Sequence, residues 1–85
     1  MNLKSLVKGK VYKVNKEFID YDGNIHIIGK IFVFDKTEFS PNNSGVSLFI
    51  IENSKPVMYR FVWEDEGQGE LLDEFMNYVE EIYSS

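Results

Sequence analysis

Between Val11 and Glu64 the apolar positions of this chain recur every second residue, and from Leu71 onward they recur at three- and four-residue steps. The two periods predict strands followed by a helix. Val11-Tyr12-Lys13-Val14 opens a strand with Tyr12 and Val14 on one face. Phe18 and Ile19 resume the apolar run after Lys16-Glu17, which predicts a bulge or bend. Asp22-Gly23 is a tight-turn signal, because Gly accepts positive φ without a Cβ clash, and Ile25 to Ile28 follows as a short strand. Ile31-Phe32-Val33-Phe34 is apolar on both faces and predicts a centrally buried strand. In Val46–Glu52, Val46, Leu48 and Ile50 face one way, Phe49 and Ile51 the other. In Val57–Glu64, Val57, Tyr59, Phe61 and Trp63 share one face and Arg60 points outward. Ser40–Gly45 reads as a loop and Asn53–Pro56 as a hairpin connection.

Leu71, Leu72, Phe75, Met76, Val79, Ile82 and Tyr83 form one continuous helical stripe, with Glu70, Asp73, Glu74, Asn77, Glu80 and Glu81 on the other side. Asp65 and Gln68 have the spacing of a capping box. Gly67 and Gly69 each weaken the first turn by roughly 1 kcal/mol relative to Ala. Residues 1–8 read as a lead-in, one helical turn in which Leu3, Leu6 and Val7 pack onto the domain. The expected architecture is mainly β (α+β): a single domain over residues 1–85, with a barrel-like sheet over 9–64 and a helix over 67–83. The sheet is expected to be a small SH3-like or related antiparallel barrel, flanked by the C-terminal amphipathic helix.

Eighty-five residues suit one domain, near the lower limit for a self-sufficient core. Seven Phe, five Tyr and one Trp supply the bulk that such a core needs. The absence of Cys excludes a disulfide framework, a thiolate zinc site and a thiol nucleophile, and fits a reducing compartment. Met1 to Gly9 does not read as a signal peptide, and no run approaches the roughly 18 apolar residues of a membrane span. The expectation is a cytoplasmic protein without a membrane partner; the sequon Asn42-Asn43-Ser44 is discounted for the same reason. The net charge of −5 is unevenly spread. Five lysines (Lys4, Lys8, Lys10, Lys13, Lys16) precede the first acid, whereas Glu64 to Glu81 holds eight acids and no base.

Asp20, Asp22 and Asn24 occupy positions 1, 3 and 5 of a calcium loop, but Ile25 stands where Gly is needed and Ile31 where a bidentate Glu is needed. The bland reading is a hairpin whose carboxylates stabilise the turn and stay wet. His26 is the only histidine, and no motif supplies it with a nucleophile. An enzyme or metal protein centred on Asp20, Asp22 and His26 is therefore the competing reading, with no metal or cofactor expected. Glu64-Asp65-Glu66 fits a helix N-terminus. A nucleic-acid binder using the lysines with Tyr12, Phe18 and Tyr21 is a third reading, disfavoured by the acidic balance and the single Arg. An acidic inhibitor or immunity-type protein using the helix face is a fourth.

Gly9-Lys10-Val11-Tyr12, Phe18-Ile19-Asp20-Tyr21-Asp22-Gly23, His26, Gly29, Gly45-Val46-Ser47-Leu48-Phe49, Trp63 and Gln68-Gly69-Glu70 resemble the pattern of a family of small bacterial proteins catalogued only as a domain of unknown function. The resemblance spans about residues 9–72, and Asp-Tyr-Asp-Gly followed by His is its most specific part. It implies a bacterial, intracellular, single-domain protein and carries over no activity, but it singles out Asp20, Asp22, Gly23 and His26. The leading expectation is a non-enzymatic protein- or peptide-interaction module, monomeric or weakly dimeric, without a nucleic-acid partner. Its candidate surface is Tyr12, Asp20, Tyr21, Asp22, His26 and Trp63, with both carboxylates exposed. Acid plus aromatic suits basic or Pro-rich extended peptides.

Overall fold

In the computed structural model, which describes residues 2–42 and 44–82, the two-residue period becomes strands. They are β1 (Val11–Val14), β2 (Phe18–Ile19), β3 (Ile25–His26), β4 (Ile31–Ser40), β5 (Gly45–Glu52) and β6 (Lys55–Val62), joined after the helix by β7 (Val79–Ile82). Five strands form one antiparallel sheet in the order β6-β5-β4-β1-β7, and β2 and β3 form a separate hairpin. The β5–β6 connection is tighter than the expected four residues. Asn53 and Ser54 both take positive φ, 53° and 65°, as a two-residue hairpin turn requires, and Lys55 and Pro56 already belong to β6. Pro56 is tolerated there because β6 is an edge.

The fold is mainly β with one helix, but the sheet does not close, so the expected SH3-like barrel is not formed. β6 and β7 remain its edges. The inner face is covered instead by the helix α1 (Glu66–Asp73), the 3-10 turns Asn2–Ser5 and Phe75–Asn77, and the β2–β3 hairpin, which complete burial without curling the sheet shut. Tyr12, Val14, Phe32, Phe34, Val46, Leu48, Ile50 and Phe61 point into this core, met by Phe18, Leu71, Leu72, Phe75 and Val79 from the cover. Leu3 and Leu6 pack as expected, while Val7 is exposed.

The expected helix over 67–83 is also corrected. α1 ends at Asp73, a 3-10 turn follows, and Val79–Ile82 is a strand paired with β1. The apolar stripe survives in Leu71, Leu72, Phe75 and Val79, but two geometries carry it. The reason lies in β1, whose second edge would otherwise hold unpaired backbone groups over the core. Charge sets the same register: Glu80 lies opposite Lys13, and Glu81 reaches Lys10 at 2.8 Å. The acidic C-terminal region thus meets the basic N-terminal one. Asn43, in the predicted loop, and Tyr83, the last residue of the predicted stripe, lie outside the described residues.

Central burial of Ile31-Phe32-Val33-Phe34 holds on one side only. Phe32 and Phe34 are buried, whereas Val33 is half-buried and Ile31 is 52% exposed on the opposite face.

Candidate functional site

The β2–β3 hairpin has only two residues per strand, too few to hold itself together. Register sends its side chains in two directions. Phe18 opposite His26 faces the core, and Ile19 opposite Ile25 faces solvent. Asp20 closes the loop between the strands. Its Oδ1 accepts from the backbone N–H of Asp22 and of Asn24, both at 3.0 Å, and from Asn24 Nδ2 at 3.3 Å. Gly23 takes φ 88°, which the turn needs and other residues resist. The Asp20 Oδ2 lies 3.0 Å from His26 Nε2.

His26 is in turn held from its far side. Lys30 Nζ lies 2.8 Å from Nδ1. An ammonium only donates, so Nδ1 accepts, and Nε2 carries the hydrogen it gives to Asp20. Lys30 also pairs with Glu52 and sits 4.5 Å above the ring of Tyr59, whose hydroxyl donates to Glu52 at 3.0 Å. The imidazole is stacked on Phe18 at 4.6 Å and meets the Tyr59 ring edge-on at 4.4 Å. The result is a continuous polar chain, Asp20–His26–Lys30–Glu52–Tyr59, running from the hairpin to β5 and β6.

The titration of this chain follows from its contacts. Burial lowers the His26 pKa below its ordinary 6.5; the hydrogen bond to Asp20 pulls the other way, and the Lys30 charge adds to the lowering. His26 is therefore neutral near pH 7, and its contact with Asp20 is a charge-assisted hydrogen bond rather than an ion pair. Burial works against the Asp20 carboxylate, but the hydrogen bonds from His26 and Asn24 outweigh it and hold the pKa below the usual value. Glu52 behaves alike, with Lys30 and Tyr59 overcoming the cost of burial. Burial, and then the Glu52 carboxylate, push the Tyr59 phenol up to about 12.

The expected partner surface is largely dismantled by this arrangement. Tyr12 is 2% exposed, with its hydroxyl accepting from the Val7 N–H at 2.8 Å. Asp20, expected exposed, is 3% exposed, because the hairpin can close only if the carboxylate turns inward onto donors, and His26, placed on the candidate surface but read as a half-buried structural histidine, is buried further, at 2%. Trp63 is half-buried, its ring 6.4 Å from Phe39. Tyr21 and Asp22 do stand outside, Tyr21 at 55% exposure. Asp22 is gripped by Arg60, whose Nε lies 3.0 Å from Oδ2, and the guanidinium lowers its pKa. Asp20, Asp22 and His26 thus do not converge, and among the described residues no group of three or more His, Cys, Asp or Glu is placed to hold a metal ion. Both ring nitrogens of His26 are taken, which leaves no lone pair open to a substrate proton.

Lys30, Glu52 and Tyr59 were not singled out by sequence reasoning. Glu52 had a signal: it shares the parity of Val46, Leu48 and Ile50, so alternation sends its carboxylate toward the core side. Tyr59 likewise shares the parity of Phe61. Lys30 had none, because its partners are brought by tertiary packing.

A family profile described as a domain of unknown function, DUF3601, matches residues 2–84. The chain belongs to this family. No curated protein matches it. This DUF3601 protein is similar in structure to an integron cassette protein from the mobile metagenome of Vibrio cholerae, with a TM-score of 0.88 and 28% identity over 93% of this chain and 88% of that one. Among the described residues, no helix is long and apolar enough to cross a membrane.

Proposed function

We propose that this DUF3601 protein is a non-enzymatic interaction module that takes a Pro-rich extended peptide at the rim formed by Tyr21 and Arg60. The observation that carries the reading is an exposed aromatic fixed on both sides. The Tyr21 N–H donates to the Arg60 carbonyl at 2.8 Å, and its neighbours Asp20 and Asp22 are held by the hairpin loop and by Arg60. A large exposed ring carried on a fixed backbone is what binding hot spots use. Tyr21 lines a groove of about 190 Å³ together with Ser40, Ser47, Arg60, Phe61 and Val62. That volume is below the roughly 300 Å³ at which small-molecule sites begin, and suits one or two side chains of a peptide.

Between the two peptide classes expected from the sequence, the pairing of Asp22 favours the Pro-rich one. Its carboxylate is already neutralised by Arg60, so a basic peptide would have to displace an existing partner. A polyproline II segment needs no counter-charge; it offers carbonyls to the serine hydroxyls and ring faces to Tyr21. The test is a titration of isotope-labelled protein with a proline-rich decapeptide, followed by amide shifts. Saturable shifts confined to Tyr21, Ser47, Arg60 and Val62, weakened at least about tenfold in Tyr21→Ala with an unchanged melting temperature, support the proposal. Absence of saturable shifts, or identical shifts in Tyr21→Ala, overturns it.

A further inference from the structure

The register of the five-stranded sheet aligns one residue from every strand in a single row. Ile82 lies opposite Val11, Val11 opposite Val33, Val33 opposite Ile51, and Ile51 opposite Pro56. Tyr12, Phe32 and Ile50, next along their strands, point into the core, so alternation turns the whole row to the outer face. Ile31 flanks the row on one side; Phe49 and Met58, opposite each other, flank it on the other. Ile31, Ile51 and Met58 are 52%, 41% and 44% exposed. Among the described residues, the helix, the hairpin and the 3-10 turns contribute their buried side chains to the inner face, and the hairpin reaches the outer side only at the β6 edge, where Asp22 meets Arg60. A contiguous apolar band across a whole sheet is more than the scattered exposed side chains normal for a monomer.

We infer that this face is an interface with a second copy of the same chain. Charge favours that occupant. The chain carries −5 overall, yet the charges around the band are compensated. Lys36 pairs with Glu38 at 2.9 Å, Lys8 with Asp35 at 3.4 Å, Arg60 with Asp22, and Lys13 lies opposite Glu80. Two copies therefore approach through this face without bringing like charge into contact, while a strongly charged partner finds nothing to answer it. A two-fold axis lying along the row would set each of its residues against its own counterpart, one arrangement that an isologous interface allows. Five strands spaced about 4.8 Å apart, with two outward residues on β1 and on β7 and three or more on each of the others, give a face of roughly 500 Å². Two copies would bury roughly 1,000 Å², the lower end for a specific interface, so the dimer is weak and forms in the micromolar range or above.

The experiment is sedimentation velocity of the full chain over the micromolar to millimolar range, with Ile51→Lys, Met58→Lys and, as a control on the opposite side, Ile25→Lys. The wild type and Ile25→Lys should shift toward dimer mass, and the two outer-face variants should need at least about tenfold more protein to do so. Intermolecular contacts among Val11, Val33 and Ile51 methyl groups in a mixed-label wild-type sample make the result independent of how the lysine variants fold. A wild type monomeric up to millimolar concentration overturns the inference. So does a dimer lost in Ile25→Lys but kept in Ile51→Lys, which would move the interface to the hairpin.

Discussion

Replacing Asp20 by Asn removes one charge and no volume, and it sets two demands on His26 that cannot both be met. The new amide keeps one oxygen, which can go on accepting from the Asp22 and Asn24 backbone. Its NH₂ then replaces Oδ2 and faces the Nε2–H of His26, donor against donor. His26 could accept there only by moving its hydrogen to Nδ1, where the Lys30 ammonium stands 2.8 Å away. A hydrogen bond to a charged group contributes about 1.5–3 kcal/mol, and an unsatisfied buried donor costs about 1–3 kcal/mol. Asp20→Asn should therefore destabilise the fold by about 3 kcal/mol, a large share of the total stability of a small domain. The diagnostic step is a cycle with Lys30→Met. Without the ammonium, the imidazole can change tautomer and accept from the new amide, so Asp20→Asn should cost at least about 1 kcal/mol less in that background. Urea unfolding followed by circular dichroism reads both numbers. A cost below about 1 kcal/mol, or the same cost in both backgrounds, would refute the assigned tautomer and the chain of contacts built on it.

The two helix glycines should respond with opposite sign. A Cβ at Gly69 would lie 2.5 Å from the Trp63 carbonyl oxygen, so Gly69→Ala should lower stability by about 1–3 kcal/mol despite its better helix propensity. Gly67→Ala meets only Asp65 Oδ1 at 3.7 Å and should raise stability by about 0.5–1 kcal/mol; thermal melts decide, and two shifts of the same sign would contradict the packing at Gly69. Acidification should destabilise the protein in two stages. His26 has a lowered pKa in the fold, so the unfolded chain binds its proton first and stability falls as pH drops below about 6.5. Asp20 and Glu52, also lowered, contribute stability that is lost at lower pH, as they protonate below their ordinary values near 4. Urea midpoints measured from pH 8 downward that stay flat until the carboxylates titrate would show that the fold does not lower the His26 pKa.

The strands were legible because each is governed by a local rule. Alternation oriented β5 and β6 correctly, and Asp22-Gly23 marked the hairpin loop. What failed depended on partners distant in sequence. The stripe from Leu71 to Ile82 satisfies a helical period, but Val79–Ile82 obeys the open edge of β1 and the lysines around it, sixty or more residues away in the chain. The four-residue apolar run at Ile31 says that both faces are apolar; it does not say that both are covered. The expected exposure of Asp20 failed for a related reason. Asp20 was expected outside because an unpaired buried carboxylate is costly, yet four donors meet it, three of them from residues within four positions. The fourth, His26, is positioned by strand register.

The polar chain lies under the hairpin rather than under the helix, and its position has a mechanical consequence. Two residues per strand cannot specify a register, since a one-residue slip would cost only a pair of contacts. An apolar contact in place of Asp20 and His26 would bury area but tolerate that slip, because apolar packing is non-directional. A carboxylate receiving two backbone N–H groups and an imidazole admits one arrangement, and Lys30 with Glu52 ties that arrangement to the main sheet. Tyr21 is the residue between Asp20 and Asp22, so whatever fixes Asp20 aims Tyr21. A slip of one residue would send Tyr21 to the buried side and bring Asp20 out into water. The directional hydrogen bonds beneath the loop thus set which side chain the loop shows, and Tyr21→Ala can remove the ring without disturbing the bonds that aim it.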